Sequence, residues 1–211
     1  MRAPTRTKQI QQYLYSTPIR YSVHMAATPG APQRREQVLA AALTVFATFG
    51  YRRTSMDAVA QAADISRPGL YFLFSGKPEL FRETMRQALD EALRDVRAAL
   101  AAPDRDLSAR VVAALDANLG RYVGTHINAG IEELLEMGAA PLGAMYDDYR
   151  AALLDALTKA IAASGRFTGD VKPGQVAELL EAAAEEWKHR VADRAEFVDK
   201  LTTAVAVALR P

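Results

Sequence analysis

The sequence predicts an all-α protein, with three N-terminal helices built around a helix-turn-helix motif and a longer helical C-terminal domain. Two observations predict this fold class. Apolar side chains recur at spacings of three and four residues from residue 33 almost to the end of the chain, as on one face of a helix. Serine, threonine, glycine and proline interrupt this pattern where helices should begin and end. We therefore divide the chain into residues 1–32, 33–81 and 82–211.

The first predicted helix covers residues 33–49. One of its faces is apolar and is formed by Val38, Leu39, Ala42, Leu43, Val45, Phe46 and Phe49. Gly50 follows directly, and glycine ends many helices because it adopts a left-handed backbone conformation without steric strain. This helix should therefore end at Gly50 and offer one apolar face to its neighbours.

Two short helices joined by a tight turn are predicted next. Thr54 and Ser55 can cap the first of them, because their hydroxyl groups accept hydrogen bonds from the free N–H groups of a first helical turn. Asp64 then interrupts the apolar spacing, and Ser66 offers a second cap. The chain should therefore turn sharply between Asp64 and Ser66.

The second short helix has two different faces. Pro68 is tolerated in its first turn, where the missing N–H would be unpaired in any case. Leu70 and Phe74 are four residues apart and should face inward. The residues expected on the other side are Arg67, Gly69 and Phe72. Because so short a helix buries little area, it must dock on neighbouring helices.

A third, longer helix should follow this motif. Ser75 or Gly76 is its expected N-cap, with Lys77 and Pro78 in the first turn. Glu79 is suited to a capping role, because its side chain can reach back to a free backbone N–H group.

The order of residues in this region resembles the tetracycline-repressor-like (TetR) family of bacterial transcriptional regulators. The resemblance covers roughly residues 34–82. It rests on Phe46, Gly50, Tyr51, Thr54, Ser55, Val59, Ala60, Ala62, Ala63, Ile65, Ser66, Leu70, Tyr71, Phe74, Lys77, Leu80 and Phe81. Asp64 departs from the glycine usual in the turn, although aspartate tolerates the left-handed conformation better than most residues. Phe72 and Leu73 stand where polar or aromatic-polar residues are common in the family.

The resemblance implies that the helix-turn-helix motif binds double-stranded DNA. It assigns Thr54, Ser55, Tyr71 and Lys77 to phosphates, and Lys77 also lies beside a helix N-terminus, which favours anions. The complete predicted DNA-binding set is Arg52, Arg53, Thr54, Ser55, Ser66, Arg67, Pro68, Gly69, Tyr71, Phe72 and Lys77.

Recognition of the DNA sequence is expected from the second short helix. The guanidinium group of Arg67 matches the O6 and N7 acceptors of guanine. Gly69 permits a close approach, and Phe72 can contact a thymine methyl group. Alternatively, Phe72 packs against a neighbouring helix.

Charge is distributed unevenly along the chain, although the net charge is only +1. Residues 1–86 hold 12 basic and five acidic side chains, whereas residues 87–211 hold 14 basic and 20 acidic side chains. This division fits a DNA-binding head on a body that binds a ligand or a partner. The alternative is that surface charge simply varies along the chain.

The segment of residues 1–32 is basic and irregular, and we expect it to be flexible. It has four basic and no acidic residues, and its prolines and glycine break any helix. Three interpretations stay open: an arm that reaches a DNA minor groove, an organelle transit peptide, or a segment upstream of a natural start at Met25.

Composition bounds the remaining possibilities. The chain has no cysteine, which excludes disulfides, thiolate catalysis and cysteine zinc sites. No apolar run approaches the roughly 18 residues that span a bilayer, and the N-terminus lacks the apolar core of a secretory signal. We expect a cytoplasmic protein without a cofactor or bound metal.

The C-terminal domain is predicted to be a series of amphipathic helices. Their approximate ranges are 78–101, 107–122, 128–137, 141–164, 175–191 and 194–209. A loop marked by glycine and proline separates the fourth range from the fifth.

The last two predicted helices carry apolar stripes that suit a dimer interface. The stripe residues are Val176, Leu179, Leu180, Ala183, Trp187, Phe197, Leu201, Ala204, Val205 and Ala208. Two such helices from each of two chains would form a four-helix interface, which is where the family usually dimerises. A palindromic operator, with half-sites about 34–36 Å or a multiple of that apart, requires a two-fold dimer. Alternatively, the stripes complete the core of one subunit.

A small-molecule pocket is expected among the middle helices. The candidate lining residues are Tyr122, His126, Asn128, Met137, Met145, Tyr146 and Tyr149, which mix apolar walls with polar tips as ligand pockets do. The alternative for each residue is ordinary core packing. The resemblance implies a repressor whose effector stabilises a conformation in which the dimer no longer spans both half-sites.

An enzyme and a regulator without an effector are the alternative classes. Glu132-Glu133 and Asp147-Asp148 are adjacent pairs, which point in different directions on a helix and share no acid–base site. The three histidines lack metal-ligand spacing, and no phosphate-binding or nucleophile motif is present. We therefore expect no enzyme. A DNA-binding dimer controlled by a protein partner is the other alternative.

Overall fold

The computed structural model describes residues 31–124, 140–165 and 170–210, and in these ranges it is all-α, as predicted. Eight α-helices and one 3₁₀ turn are present in the described ranges. The helices are α1 (Ala31–Arg53), α2 (Met56–Ala62), α3 (Arg67–Leu73), α4 (Lys77–Ala101), α5 (Leu107–Leu119), α6 (Ala140–Ala162), α7 (Pro173–Trp187) and α8 (Arg194–Ala208). None of these helices is long and apolar enough to cross a membrane.

Most predicted helices are confirmed, with shifted ends. Helix α1 begins two residues before the predicted start and bends at Gly50, whose φ of 74° lies in the left-handed region, before continuing to Arg53. Helix α5 ends at Leu119, and Gly120–Tyr122 forms the 3₁₀ turn. Helix α7 ends at Trp187, four residues before the predicted end. The predicted helix over 128–137 lies outside the described residues.

The turn between α2 and α3 has the predicted capping pattern. The hydroxyl oxygen of Ser55 accepts a hydrogen bond from Ala58 N–H, and that of Ser66 accepts one from Gly69 N–H, both at 3.1 Å. Asp64 has a φ of 52°, the left-handed conformation that aspartate tolerates better than most residues. The substitution of aspartate for the family's glycine is therefore accommodated by the backbone.

Helix α4 begins with the predicted carboxylate cap. Gly76 is its N-cap. The N–H and the hydroxyl of Ser75 both donate to Glu79 Oε2, at 2.7 and 2.6 Å. These bonds favour the ionised carboxylate and lower the pKa of Glu79. The cap fixes the direction in which the chain leaves α3.

A cluster of buried apolar side chains holds the first four helices together. Phe46, Leu70, Phe74 and Phe81 are all buried in it. The rings of Phe46 and Phe81 meet edge-to-face at 4.8 Å between centroids, and Tyr51 meets Phe81 at 5.1 Å. Aromatic pairs in this geometry add to the stabilisation from buried area. Helices α2 and α3 are therefore fixed on α1 and α4.

A second apolar cluster joins α4, α5, α6, α7 and α8. Helix α4 contributes to both clusters: its residues up to Ala88 belong to the first and those from Leu89 onward to the second. Met145 on α6 packs against both clusters. The two cores are thus connected through α4 and α6, while the predicted boundary at residues 81 and 82 stays a prediction.

An ion pair closes over a glycine at the end of α5. Arg194 Nε and Nη2 donate to Asp116 Oδ1 and Oδ2 at 2.8 and 2.6 Å, which ties α8 to α5. A Cβ at Gly120 would overlap Asp116 Oδ1 and lie 3.0 Å from Arg194 Nε. Glycine at this position therefore makes room for the pair.

We expect Gly120→Ala to destabilise the fold by about 1–2 kcal/mol, because the methyl group displaces the Asp116 carboxylate from Arg194. Chemical denaturation measures this change. In an Asp116→Ala background, which removes the obstacle, the same substitution should have almost no effect.

Gly174→Ala is the matched control, because its added Cβ would lie 3.8 Å from Thr158, an ordinary contact. Alanine also favours a helix over glycine, so this variant should be slightly more stable than wild type. Equal losses at both glycines would contradict the role given to the Asp116–Arg194 pair.

Candidate nucleic-acid interface

Helix α3 has one buried and one exposed face. Leu70 is buried against the first cluster, and Phe74 follows it into the same core. On the opposite side, the exposed fraction is 89% for Phe72 and 44% for Tyr71. Phe72 therefore does not pack against a neighbouring helix among the described residues. This contradicts the alternative interpretation, in which the ring packs inside the protein and does not contact a base.

Arg67 is presented at the start of α3 by two neighbours. Its Nη1 donates to Asp57 Oδ2 at 3.3 Å, and its Nε lies 3.1 Å from Asp57 Oδ1. Its Cζ also lies 5.7 Å from the centroid of the Tyr71 ring. Both charged side chains remain more than half exposed, so a pair of this kind contributes little stability. The contacts with Asp57 and Tyr71 instead orient the guanidinium group of Arg67.

Two residues that the family resemblance assigned to phosphates, Thr54 and Lys77, use their polar groups inside the protein. Thr54 is only 3% exposed, and its hydroxyl donates to Gly50 O at 2.8 Å. A phosphate contact through the Thr54 side chain is therefore contradicted by the structure. The Lys77 ammonium donates to the carbonyls of Tyr51 and Thr54 at 3.0 Å each and to Arg52 O at 3.3 Å.

The remaining predicted DNA-binding residues lie on the accessible surface around α2 and α3. Ser55 and Ser66 are exposed, and a hydroxyl group that caps a helix by accepting from a backbone N–H can still donate to a phosphate. The other exposed members of the predicted set are Arg52, Arg53 and Pro68, while Gly69 is half-buried. Glycine suits position 69, because a Cβ added there would lie only 3.1 Å from Ser66 Oγ.

Arg35 on α1 is a positioning residue that the sequence did not reveal. Its Nη1 donates to Leu73 O at 2.7 Å, at the C-terminal end of α3. Its guanidinium carbon lies 4.2 Å from the centroid of the Phe74 ring, and its Nη2 lies 3.7 Å from Glu83 Oε2. A cation at a helix C-terminus is favourable. The contact joins residues 38 positions apart, a distance at which sequence patterns carry no signal.

The predicted ligand residues that the structure describes form a tyrosine cluster beside both cores. Tyr149 donates from its hydroxyl to Asn118 Oδ1 on α5, and its ring centroid lies 6.3 Å from that of Tyr146. Burial, together with the nearby carboxylates of Glu185 and Glu181, raises the pKa of Tyr146 to about 12. Burial also raises the pKa of Tyr149. Both phenols are therefore neutral hydrogen-bonding groups at neutral pH.

The other members of the predicted pocket are placed unevenly. Met145 and Tyr122 are partly buried and pack against the first cluster, close to the tyrosines. His126, Asn128 and Met137 lie outside the described residues. Asn118 was missed, although its signal was present: it is a polar residue on the apolar face of α5, three residues after Leu115.

An ion pair borders the tyrosine cluster. Arg150 on α6 donates from Nε and Nη2 to the two carboxylate oxygens of Glu181 on α7, at 2.9 and 2.8 Å. The side chain of Glu181 is only 7% exposed, so the bidentate partner is needed to offset the loss of hydration. This pair fixes α6 against α7 beside Tyr146.

The structure contradicts the predicted dimer interface for half of its ten residues. Five of them are buried inside the subunit with at most 4% exposure: Val176, Leu180, Phe197, Leu201 and Val205. They complete the second apolar cluster, so they have no surface to offer a partner. Leu179 is instead 63% exposed on α7, and Val207 is 61% exposed on α8. Ala183 and Trp187 are half-buried.

The described residues contain no group of histidine, cysteine, aspartate or glutamate side chains that could hold a metal ion.

Sequence comparison identifies the helix-turn-helix segment. Residues 38–84 match the family described as bacterial regulatory proteins, tetR family. The HTH-type transcriptional activator FasR of Mycolicibacterium smegmatis is 41% identical over 68 residues, which are 32% of this chain and 31% of FasR. The chain thus matches about a third of the length of that relative.

Comparison of structures extends the likeness to most of the chain. A tetR-family transcriptional regulator from Streptomyces coelicolor has a TM-score of 0.61 at 25% identity, over 85% of this chain and 82% of that chain. FadR from Bacillus subtilis, in complex with stearoyl-CoA, has a TM-score of 0.63 at 13% identity, over 82% of this chain and 97% of FadR. At 13% identity the likeness shows the fold alone. The sequence match places residues 38–84 among the bacterial regulatory proteins of the tetR family, and most of the chain shares the all-α fold of these solved structures.

Proposed function

We propose that this protein is a homodimeric repressor that inserts α3 into the major groove of a palindromic operator and leaves it when a small molecule binds the C-terminal helices. The observation that supports DNA binding best is the exposed face of α3, where Arg67, Tyr71 and Phe72 project from a helix whose other face is buried. This face lies within the segment that matches the tetR family.

The proposed contacts divide into positioning and recognition. Phosphate contacts set the register of a protein on DNA, whereas contacts to base edges read the sequence. We assign Tyr71, Ser55, Ser66, Arg52 and Arg53 to phosphates. Pro68 and Gly69 allow the N-terminal turn of α3 to approach the groove.

Sequence recognition is assigned to two exposed side chains on α3. Arg67 is presented by Asp57 and Tyr71 and can form two hydrogen bonds with guanine. Phe72, which is 89% exposed, is placed to meet a thymine methyl group. A solvent-exposed aromatic ring on this surface would be stabilised by contact with an apolar group of the DNA.

The dimer is proposed to form through the outer faces of α7 and α8, which pack against each other. Leu179 and Val207 are large apolar residues that remain exposed on these helices. Smaller exposed residues flank them, including Ala182 and Ala206. A surface of this composition fits a second copy of the same two helices, since two-fold symmetry brings identical patches together.

The effector site is proposed at the tyrosine cluster. Neutral phenols at Tyr146 and Tyr149 and the nearby Met145 offer apolar surface with hydrogen-bonding tips, as small-molecule sites do. Because FadR of Bacillus subtilis was solved with stearoyl-CoA, acyl-CoA thioesters are the first compounds to test. The alternative is a dimer without a small-molecule effector, controlled by a protein partner.

Selection of bound duplexes from a random DNA pool should enrich one palindrome, and failure to enrich any would contradict the proposed function. On that operator, Arg67→Ala should reduce discrimination at one base pair in each half-site by about 1–3 kcal/mol. Binding to single-base variants of the operator measures this loss.

Arg53→Ala is the matched control, because it removes a cation from the same surface without removing a proposed base contact. It should weaken binding to all operator variants by a similar factor. A uniform loss from Arg67→Ala would place that residue among the phosphate contacts instead.

Leu179→Asp should separate the dimer, since an unpaired carboxylate buried in an apolar interface is unfavourable by several kcal/mol. Sedimentation across a concentration series should show at least about a 100-fold weaker dimer. Ala98→Asp adds the same charge at an exposed site on α4 and should leave the dimer intact. If both variants dimerise like wild type, the interface lies elsewhere.

A metabolite panel that includes acyl-CoA thioesters should reveal the effector by thermal stabilisation. A ligand at about 100 times its Kd should raise the melting temperature by about 5–10 °C. Tyr146→Ala should remove this shift, whereas Phe72→Ala in the DNA-binding surface should retain it. If no compound stabilises the protein, the alternative of a protein partner is favoured.

A further inference from the structure

Lys77 occupies an unusual place for a basic residue. It is the first residue of α4, and a cation is unfavourable at a helix N-terminus, where the helix dipole is positive. Its side chain turns away from α4 and reaches the C-terminal end of α1. A cation is favourable at that end, because the last carbonyls of a helix have no partner within the helix.

The ammonium group of Lys77 is fully engaged there. A lysine ammonium has three N–H donors, and Nζ donates to the three carbonyls of Tyr51, Arg52 and Thr54 at 3.0, 3.3 and 3.0 Å. Nζ also lies 4.4 Å from the centroid of the Tyr51 ring, a distance at which cation–π attraction operates. A phosphate could bind this ammonium only by displacing a carbonyl.

The carbonyl of Thr54 lies at a point in the chain where a bond to Lys77 can hold the helix-turn-helix segment together. Thr54 immediately precedes the N-cap of α2, and Lys77 begins the helix that follows α3. The bond from Lys77 Nζ to Thr54 O therefore closes the chain across 23 residues and holds both ends of the helix-turn-helix segment together. Arg35 holds the same unit at a second point, the C-terminal carbonyl of α3.

We propose that Lys77 is a positioning residue for DNA binding, which remains in its carbonyl cradle on the operator and orients α2 and α3 without contacting a phosphate. This inference rests on the proposed DNA-binding function and changes the role that family resemblance implies for Lys77. It predicts that the ammonium contributes to specific affinity through geometry and releases no counterion of its own.

The test compares Lys77→Met, which removes the ammonium and retains much of the apolar stem, with Arg53→Met, which removes an exposed cation proposed to contact a phosphate. Each phosphate contact adds about 0.9 to the slope of log affinity against log salt. The slope is measured on duplex DNA of random sequence, so no operator is required. Arg53→Met should lower the slope by about 0.9 for each subunit bound, and Lys77→Met should leave it unchanged.

Two further measurements separate the possible outcomes. Without DNA, hydrogen exchange in residues 54–57 should be faster in Lys77→Met than in wild type, because the closure of the segment is lost. On the selected operator, Lys77→Met should bind at least about tenfold more weakly than wild type at every salt concentration.

The variant Lys77→Arg keeps the charge but changes the shape of the side chain, so it separates the two contributions. It also provides a test if Lys77→Met does not fold. Arginine binds phosphate at least as well as lysine, but its planar fork does not match three converging carbonyls. A positioning role therefore predicts no rescue of operator affinity. Wild-type affinity in Lys77→Arg, or a lower salt slope with unchanged hydrogen exchange in Lys77→Met, would overturn the proposal. If wild type itself shows no salt-dependent DNA binding, the proposed function fails, and the exchange data still decide whether the bond from Lys77 to Thr54 O closes the segment.

Discussion

The recognition surface depends on the docking of a helix that cannot be stable alone. Helix α3 has seven residues, well below the length at which isolated helices persist in water. Its orientation is set from outside: Leu70 and Phe74 anchor it in the first core, Arg35 binds its last carbonyl, and Ser66 caps its first turn. Rigid support of this kind matters because a base contact requires a side chain to be held within a fraction of an ångström.

Local features of this fold were predictable from the sequence, and contacts between distant segments were not. The Ser66 cap, the left-handed Asp64 and the Ser75–Glu79 cap involve neighbours in the chain, whose geometry follows from residue type. The contacts of Arg35 with Leu73 and of Arg150 with Glu181 join residues 38 and 31 positions apart. The sequence shows that Arg35, Arg150 and Glu181 are charged, but it does not indicate which groups they contact.

Because the sequence does not reveal contacts between distant segments, it also could not show which apolar stripes face a partner and which candidate DNA-binding residues are exposed. Helical spacing identifies Val176, Leu180 and Leu201 as one-sided and apolar, but the same pattern arises whether the covering surface belongs to the same chain or to a partner. The structure resolves this for the described residues: these side chains fill the subunit core, and Leu179 remains outside. At the DNA-binding surface, Arg67 and Phe72 are exposed as predicted, whereas Thr54 is buried.

Helix α4 contributes side chains to both cores as one continuous helix. Its 25 residues correspond to about 37 Å at 1.5 Å per residue. A rod of that length acts as a lever, so a tilt of about 5° at the end held by the second core displaces the other end by about 3 Å. That displacement is close to the rise of one base pair along DNA, about 3.4 Å. If an effector binds at the tyrosine cluster as proposed, a tilt of α4 by a few degrees would therefore move the proposed DNA-binding surface by about one base-pair step.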